Sequence, residues 1–436
     1  MESIAASRRF GLNRIVAAAV LVIATGVAPD RALAQAAPVP APPEPSPPGP
    51  IVKPTPTAQM QAVLDELAAL GAQPVQTLTP EQARAQPSFA DAVRSLLART
   101  GESTEPEQVA AVEDGSYPGS AGTMPLRIYR PLQGPADGSP PPVVMYIHGG
   151  GWVIATIDTY DASARALSNA AGAIVVSIEY RKAPENKFPA AHDDTWAAWQ
   201  WTVANASAIG GDPARVAVAG ESAGGNMAAN IAIRARDEGV QMPVHQVLVY
   251  PVAQCGTSTP SYERNADAVP LSVPALEWFF DHYLNAPSEC DDPRITLVNP
   301  ARPDLSDLPP ATVITAEIDP LLSEARRYAH TLVNFGNRVD HSQYGGVTHE
   351  FFGMGAAVDQ AKMAVQQAGG ALRHTFTAPP PAAPQPPPAT PPAPAPSPGT
   401  PPPATPPAPA PSPETPPPAT PPAPEAPPPA ALAPRR

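Results

Sequence analysis

A net charge of −13 over 436 residues makes nucleic acid and other polyanions poor partners, and two cysteines with eight dispersed histidines offer no metal-binding cluster. The chain is 43% hydrophobic, ample for a folded core, yet 30 of its 67 prolines lie in the last 58 residues, which cannot join that core.

Arg8, Arg9 and Arg14 precede an apolar run from Ile15 to Val27, and Ala32-Leu33-Ala34 before Gln35 is a small-residue cleavage pattern. Residues 1–34 read as a signal peptide, so the protein is expected to be exported: periplasmic, held in the cell envelope or extracellular. A permanent anchor is the competing reading, but 13 apolar residues fall short of the roughly 20 needed to span a bilayer. Ser7-Arg8-Arg9 hints at twin-arginine export, although Gly11 stands where that signal usually has Phe, so the route stays open. Residues 35–56, rich in Pro and Ala, read as a semi-rigid linker. Order is expected over 57–376, where Met60, Val63, Leu64, Leu67 and Leu70 fall at helical spacing before Gly71. Phe89, Val93, Leu96 and Leu97 mark a second amphipathic segment.

The β-branched run Val143 to Ile147 reads as a strand leading into His148-Gly149-Gly150-Gly151. Gly149 and Gly150 are candidate amide donors to an oxyanion, and His148 is expected to shape their loop by hydrogen bonding. Asp193 and Asp194 begin a Trp-rich helical stretch and suit the positive end of its dipole. Arg215 to Ala219 reads as a second strand, followed by Gly220-Glu221-Ser222-Ala223-Gly224 and an Ala-rich helical stretch. Alone, Gly-x-Ser-x-Gly is more often an ordinary turn. Strand before, helix after and a glycine loop beginning 74 positions upstream make it a nucleophile elbow, with the Ala223 amide as a third oxyanion donor.

A serine hydroxyl is a weak nucleophile and needs a base oriented by a carboxylate. The strand-like Ala311 to Ala316 runs into Glu317-Ile318-Asp319-Pro320, and Val339 to Tyr344 runs through two glycines to His349-Glu350-Phe351. Both candidates lie past the carboxyl end of a strand, where open α/β sheets place their sites. Asp319 is assigned as the orienting acid, with Glu317 its competitor, and His349 as the base. His192, His282, His330 and His341 follow no strand at the right place and read as helix, loop or strand-face residues.

Cys255 and Cys290 flank an aromatic segment, Ser258 to Leu284, in which Trp278, Phe279, Phe280 and Tyr283 either pack the core or touch substrate. In an oxidising compartment a bridge between them closes a 36-residue loop, worth about 4 kcal/mol by chain entropy, and the free-thiol alternative stays open. The tail from 377 onward carries the repeat Thr390–Ala404 again at 405–419 with one change. Lacking amides to donate, such a segment is expected to be extended polyproline, either a solvated spacer or a tether to the cell envelope.

His148-Gly149-Gly150-Gly151-Trp152, the run Glu179 to Glu185 with Phe188-Pro189-Ala190, Gly220-Glu221-Ser222-Ala223-Gly224-Gly225, Asp319-Pro320-Leu321 and His349 resemble the bacterial hormone-sensitive-lipase-like esterases. The resemblance spans about 57–370. It implies an α/β-hydrolase fold, a mostly parallel sheet flanked by helices, with a helical cap built from the N-terminal helices and 258–284. It further implies short- to medium-chain carboxylic esters as small-molecule substrates and neither metal nor organic cofactor. By motif match Ser222, Asp319 and His349 form the triad, with Gly149, Gly150 and Ala223 as the oxyanion hole. Two departures stand out: Glu221 replaces the usual Asp before the nucleophile, and Lys182 replaces a common Leu and is expected to be exposed. Polysaccharide deacetylation, amide hydrolysis and a non-catalytic envelope-binding role remain as alternatives, and oligomeric state is left open.

Overall fold

The computed structural model describes residues 52–256, 258–299 and 304–377. The signal peptide, nearly all of the linker and the tail from 378 lie outside the described residues. Among the described residues three α-helices come first: α1 (Ala58–Ala69), α2 (Pro80–Ala85) and α3 (Phe89–Thr100). The hydroxyls of Thr57, Thr79 and Ser88 accept from the amides of Met60, Gln82 and Asp91, so each helix start is capped. The apolar positions read at helical spacing meet across α1 and α3, where Met60, Val63 and Leu67 share one buried cluster with Val93, Leu96 and Leu97.

There follow β1 (Ala111–Gly119), β2 (Gly122–Arg130), β3 (Val143–Ile147), α4 (Asp161–Ala171), β4 (Ile174–Ile178), α5 (Ala190–Asn205), β5 (Val216–Glu221), α6 (Ala223–Asp237) and β6 (Gln246–Val249). Next are α7 (Pro260–Arg264), α8 (Val273–Tyr283), β7 (Ala311–Ile318), α9 (Leu322–Asn334), β8 (Val339–Thr348) and α10 (Asp359–Thr377). The eight strands make one sheet in the order β1-β2-β4-β3-β5-β6-β7-β8. Only β2 runs antiparallel to its neighbours; every other pair is parallel, the mostly parallel arrangement expected.

Side-chain alternation along the central strands divides the core into two layers. Val143, Met145 and Ile147 face one layer with Ile231 of α6, while Val144 and Tyr146 face the other with Leu167 of α4 and Leu372 of α10. Strands covered on both faces need apolar residues at every position, which is why β3 reads as an uninterrupted hydrophobic run. Because β3, β5, β7 and β8 are all parallel, Gly149, Ser222, Asp319 and His349 leave the same edge of the sheet.

Two further features lie beside that edge. Cys255 and Cys290 form a disulfide with Cα atoms 5.1 Å apart, closing the segment that carries α7 and α8. From α8, Trp278 Nε1 donates to the Leu78 carbonyl at 3.1 Å, joining this segment to the N-terminal helices.

Candidate active site

Ser222 stands between β5 and α6 with φ +58° and ψ −120°, a backbone region that strains any residue with a side chain. The turn closes only because its flanks are glycine. A Cβ on Gly220 would lie 2.2 Å from the Gly224 carbonyl oxygen, and one on Gly224 2.1 Å from that of Ile147. The Ala223 amide opens α6, where helical amides have no intrahelical acceptor. Across from it, a Cβ on Gly149 would come 3.1 Å from the Ser222 Cβ, so the glycine loop passes directly beside the serine. Gly150 adopts φ +89° and turns that loop away.

The structure brings Ser222, His349 and Asp319 together. His349 Nε2 lies 2.9 Å from Ser222 Oγ, and its Nδ1 donates to Asp319 Oδ2 at 2.7 Å. That bond fixes the tautomer and leaves Nε2 to accept the serine proton. Asp319 is fully buried, and its other oxygen accepts the Leu321 amide at 2.8 Å. Burial pushes the His349 imidazole down, but the charge and hydrogen bond of Asp319, with Glu350 and Glu221 adding, hold it above its ordinary value. Glu317 is directed elsewhere: its Oε2 accepts the Gly346 amide at 2.8 Å.

Around these residues further side chains take defined places, most of which sequence alone did not indicate. Glu221 is buried and accepts the hydroxyls of Tyr146 and Tyr250. Burial pushes its carboxyl up to about 7 against the pull of both hydroxyls. The Tyr250 ring packs on His349, with centroids 4.4 Å apart. His148 does shape its loop, with Nδ1 2.9 Å from the Gly149 carbonyl and Nε2 2.9 Å from Glu179. Lys182 is not the exposed residue expected, since its ammonium donates to the Ala155 carbonyl at 2.7 Å and to Glu179 at 2.8 Å. Asp194 does not serve the start of α5. It is fully buried, pairs with Arg181 at 2.7 Å and accepts the Ser120 amide at 2.9 Å, tying the β1–β2 turn to the sheet. Asp193 keeps the first-turn position.

A cavity of about 690 Å³ opens onto Ser222 and His349, lined on one side by Leu67, Val75, Phe89 and Val93 and on another by Phe279 and Phe280. The aromatic segment divides: Phe279 and Phe280 face the cavity, whereas Tyr283 stacks on Trp152 within the core at 4.4 Å between centroids. Phe279 also covers the glycine loop, where a Cβ on Gly151 would meet its ring at 2.3 Å.

A family profile described as the alpha/beta hydrolase fold matches residues 144–353. The chain is 41% identical over 256 residues to carboxylesterase NlhH of Mycobacterium tuberculosis, covering 58% of this chain and 79% of that protein. It is 35% identical over 291 residues to an ethyl acetate hydrolase of Pseudomonas putida, covering 66% of this chain and 88% of the other. Among solved structures, a Pyrobaculum calidifontis esterase superposes with a TM-score of 0.63 at 36% identity, covering 72% of this chain and 98% of its own. With the sheet, the elbow and these relatives in agreement, the chain belongs to the hormone-sensitive-lipase-like family of α/β-hydrolases and is a carboxylic ester hydrolase.

Proposed function

We propose that the protein is an exported serine carboxylesterase that cleaves short- to medium-chain acyl esters through Ser222, His349 and Asp319. The observation that carries this reading is the hydrogen-bonded line from Asp319 through His349 to Ser222, at 2.7 and 2.9 Å. His349 Nε2 takes the Ser222 proton as Oγ attacks the ester carbonyl, and Asp319 stabilises the imidazolium that forms. The carbonyl oxygen becomes an oxyanion held by the amides of Gly149, Gly150 and Ala223, each such donor being worth about 10²–10³ in rate. His349 then protonates the leaving alcohol, and water hydrolyses the acyl-enzyme with the same histidine as base.

The apolar cavity and a relative named for ethyl acetate hydrolysis support the acyl preference. The leader pattern and the disulfide support export, because disulfides persist in oxidising compartments. Turnover of p-nitrophenyl esters from acetate to palmitate, with Ser222→Ala alongside, tests the assignment. Short esters are expected to be hydrolysed best and the variant to lose at least about 10⁴-fold in kcat. Equal turnover by both proteins would remove Ser222 from the reaction.

A further inference from the structure

Glu350 has no role in the steps above, yet it lies at the reacting end of the cavity. It follows His349 directly with φ +71° and ψ +5°, a left-handed conformation that glycine takes freely and a residue with a side chain takes at a cost. Its Oε2 accepts the Tyr160 hydroxyl at 2.6 Å. That hydroxyl is itself pressed against the oxyanion loop, 2.4 Å from where a Cβ on Gly149 would stand. So held, Glu350 places Oε1 3.9 Å from His349 Nε2, the nitrogen that meets Ser222 Oγ at 2.9 Å. Glu350, Tyr160, His349 and Ser222 all line the cavity.

We propose that Glu350 orients the hydrolytic water of the deacylation step, an inference that rests on the Ser222–His349 reading. A gap of 3.9 Å is spanned by one water about 2.8 Å from each atom, with about 90° between its two contacts. In the acyl-enzyme Nε2 is unprotonated and accepts, as does Oε1. A water between them gives one O–H to each, which turns a lone pair toward the acyl carbon on Ser222 Oγ. The water oxygen bonds to that carbon, its proton moves to Nε2, and the carbonyl π pair moves onto the oxyanion. Collapse breaks the bond from carbon to Oγ, the proton on Nε2 passes to Oγ, and the carboxylic acid leaves. Glu350 gains no proton at any point.

The same geometry confines the effect to one half of the reaction. During acylation the leaving oxygen carries carbon where water carries its second hydrogen, so it has no O–H to give Glu350. The strained backbone supplies a useful variant, since Glu350→Gly removes the carboxylate while relaxing φ. In the full chain, Glu350→Gly and Glu350→Gln are expected to lower kcat on p-nitrophenyl butyrate about tenfold while kcat/KM, which reports acylation, stays within about twofold. Stopped-flow traces should then show a nitrophenol burst approaching one equivalent per chain. Tyr160→Phe, which frees the carboxylate from its anchor, should give the same split to a smaller degree.

Parallel loss of kcat and kcat/KM without a burst, or no change in either, overturns the proposal. An unchanged Tm in Glu350→Gly shows that any loss is not a loss of fold. Should the otherwise wild-type chain keep its turnover after Ser222→Ala, the triad reading itself fails, which separates that outcome from failure of the Glu350 role.

Discussion

On the proposed mechanism, charge placed around His349 decides at which pH the site works. The imidazole must be neutral to accept the Ser222 proton, and Asp319 holds it above its ordinary 6.5, so kcat/KM is expected to fall on an acid limb centred above that value. Asp319→Asn removes the largest of the charges that oppose burial, which should move the limb to lower pH and lower kcat by about 10³–10⁴. A pH–rate profile of both proteins reads this, and an unmoved limb would assign it to another group. Glu221 governs stability instead. Its folded value of about 7 lies above the ordinary 4.5, so its contribution is fully present below pH 4.5 and is lost as pH rises through 7. Glu324, buried and pushed up to about 8, acts in the same direction. Buried His192 and His245, held near 4, oppose this below pH 6.5, so thermal melts between pH 6.5 and 8 should show Tm falling with pH, and less steeply in Glu221→Gln. At this scale the three residues brought together were legible because each sits in a motif whose glycines or strand-end position encode backbone geometry. Tyr146, Tyr250 and Tyr160 were not, since a buried tyrosine in sequence looks the same whether it fills space or holds an acid.

Elements differ in legibility for a related reason. The β3 and β7 runs were evident because both faces are covered, but β5 and β8 continue further than their apolar residues, to Glu221 and Thr348. Pairing of Glu221 with Val249 extends β5 beyond the point where hydrophobicity stops. The β1–β2 hairpin escaped notice because it lies at the sheet edge, with five consecutive exposed residues in β1. Six-residue α2 is too short to repeat an apolar period, and its sequence signals are the Thr79–Gln82 capping box and Pro80 in the first turn. This helix has a large consequence for the site through Arg84, which donates to the carbonyls of Val153 at 2.8 Å and Ala183 at 2.6 Å and pairs with Glu185 at 2.7 Å. Val153 follows the glycine loop, so one guanidinium fastens α2 over the cavity wall. Arg84→Met leaves two carbonyls without this donor and is expected to cost about 1–3 kcal/mol by denaturant midpoint. The same variant should raise KM for the longer esters more than it lowers kcat. A fall in kcat alone would mean that the clamp serves the oxyanion loop and not the cavity.

Over the whole molecule, composition separates a catalytic body from its flanks more sharply than any motif does. Every residue assigned to the chemistry lies between Gly149 and Glu350, and α10 closes the described body at Thr377. The following segment offers few large apolar or charged side chains and, at its prolines, no amide, so it has little with which to grip a surface. That favours a spacer over a tether. Ending the chain after Thr377 is accordingly expected to leave kcat/KM within about twofold and the partition between envelope and soluble fractions unchanged. Release of the shortened enzyme from the envelope fraction, with turnover intact, would instead assign the tail an anchoring function. The disulfide gives the companion measurement of where the body matures. Native protein from an exported preparation should yield no titratable thiol until it is unfolded and reduced, whereas two thiols in the native state would place folding in a reducing compartment and remove the chief structural support for export.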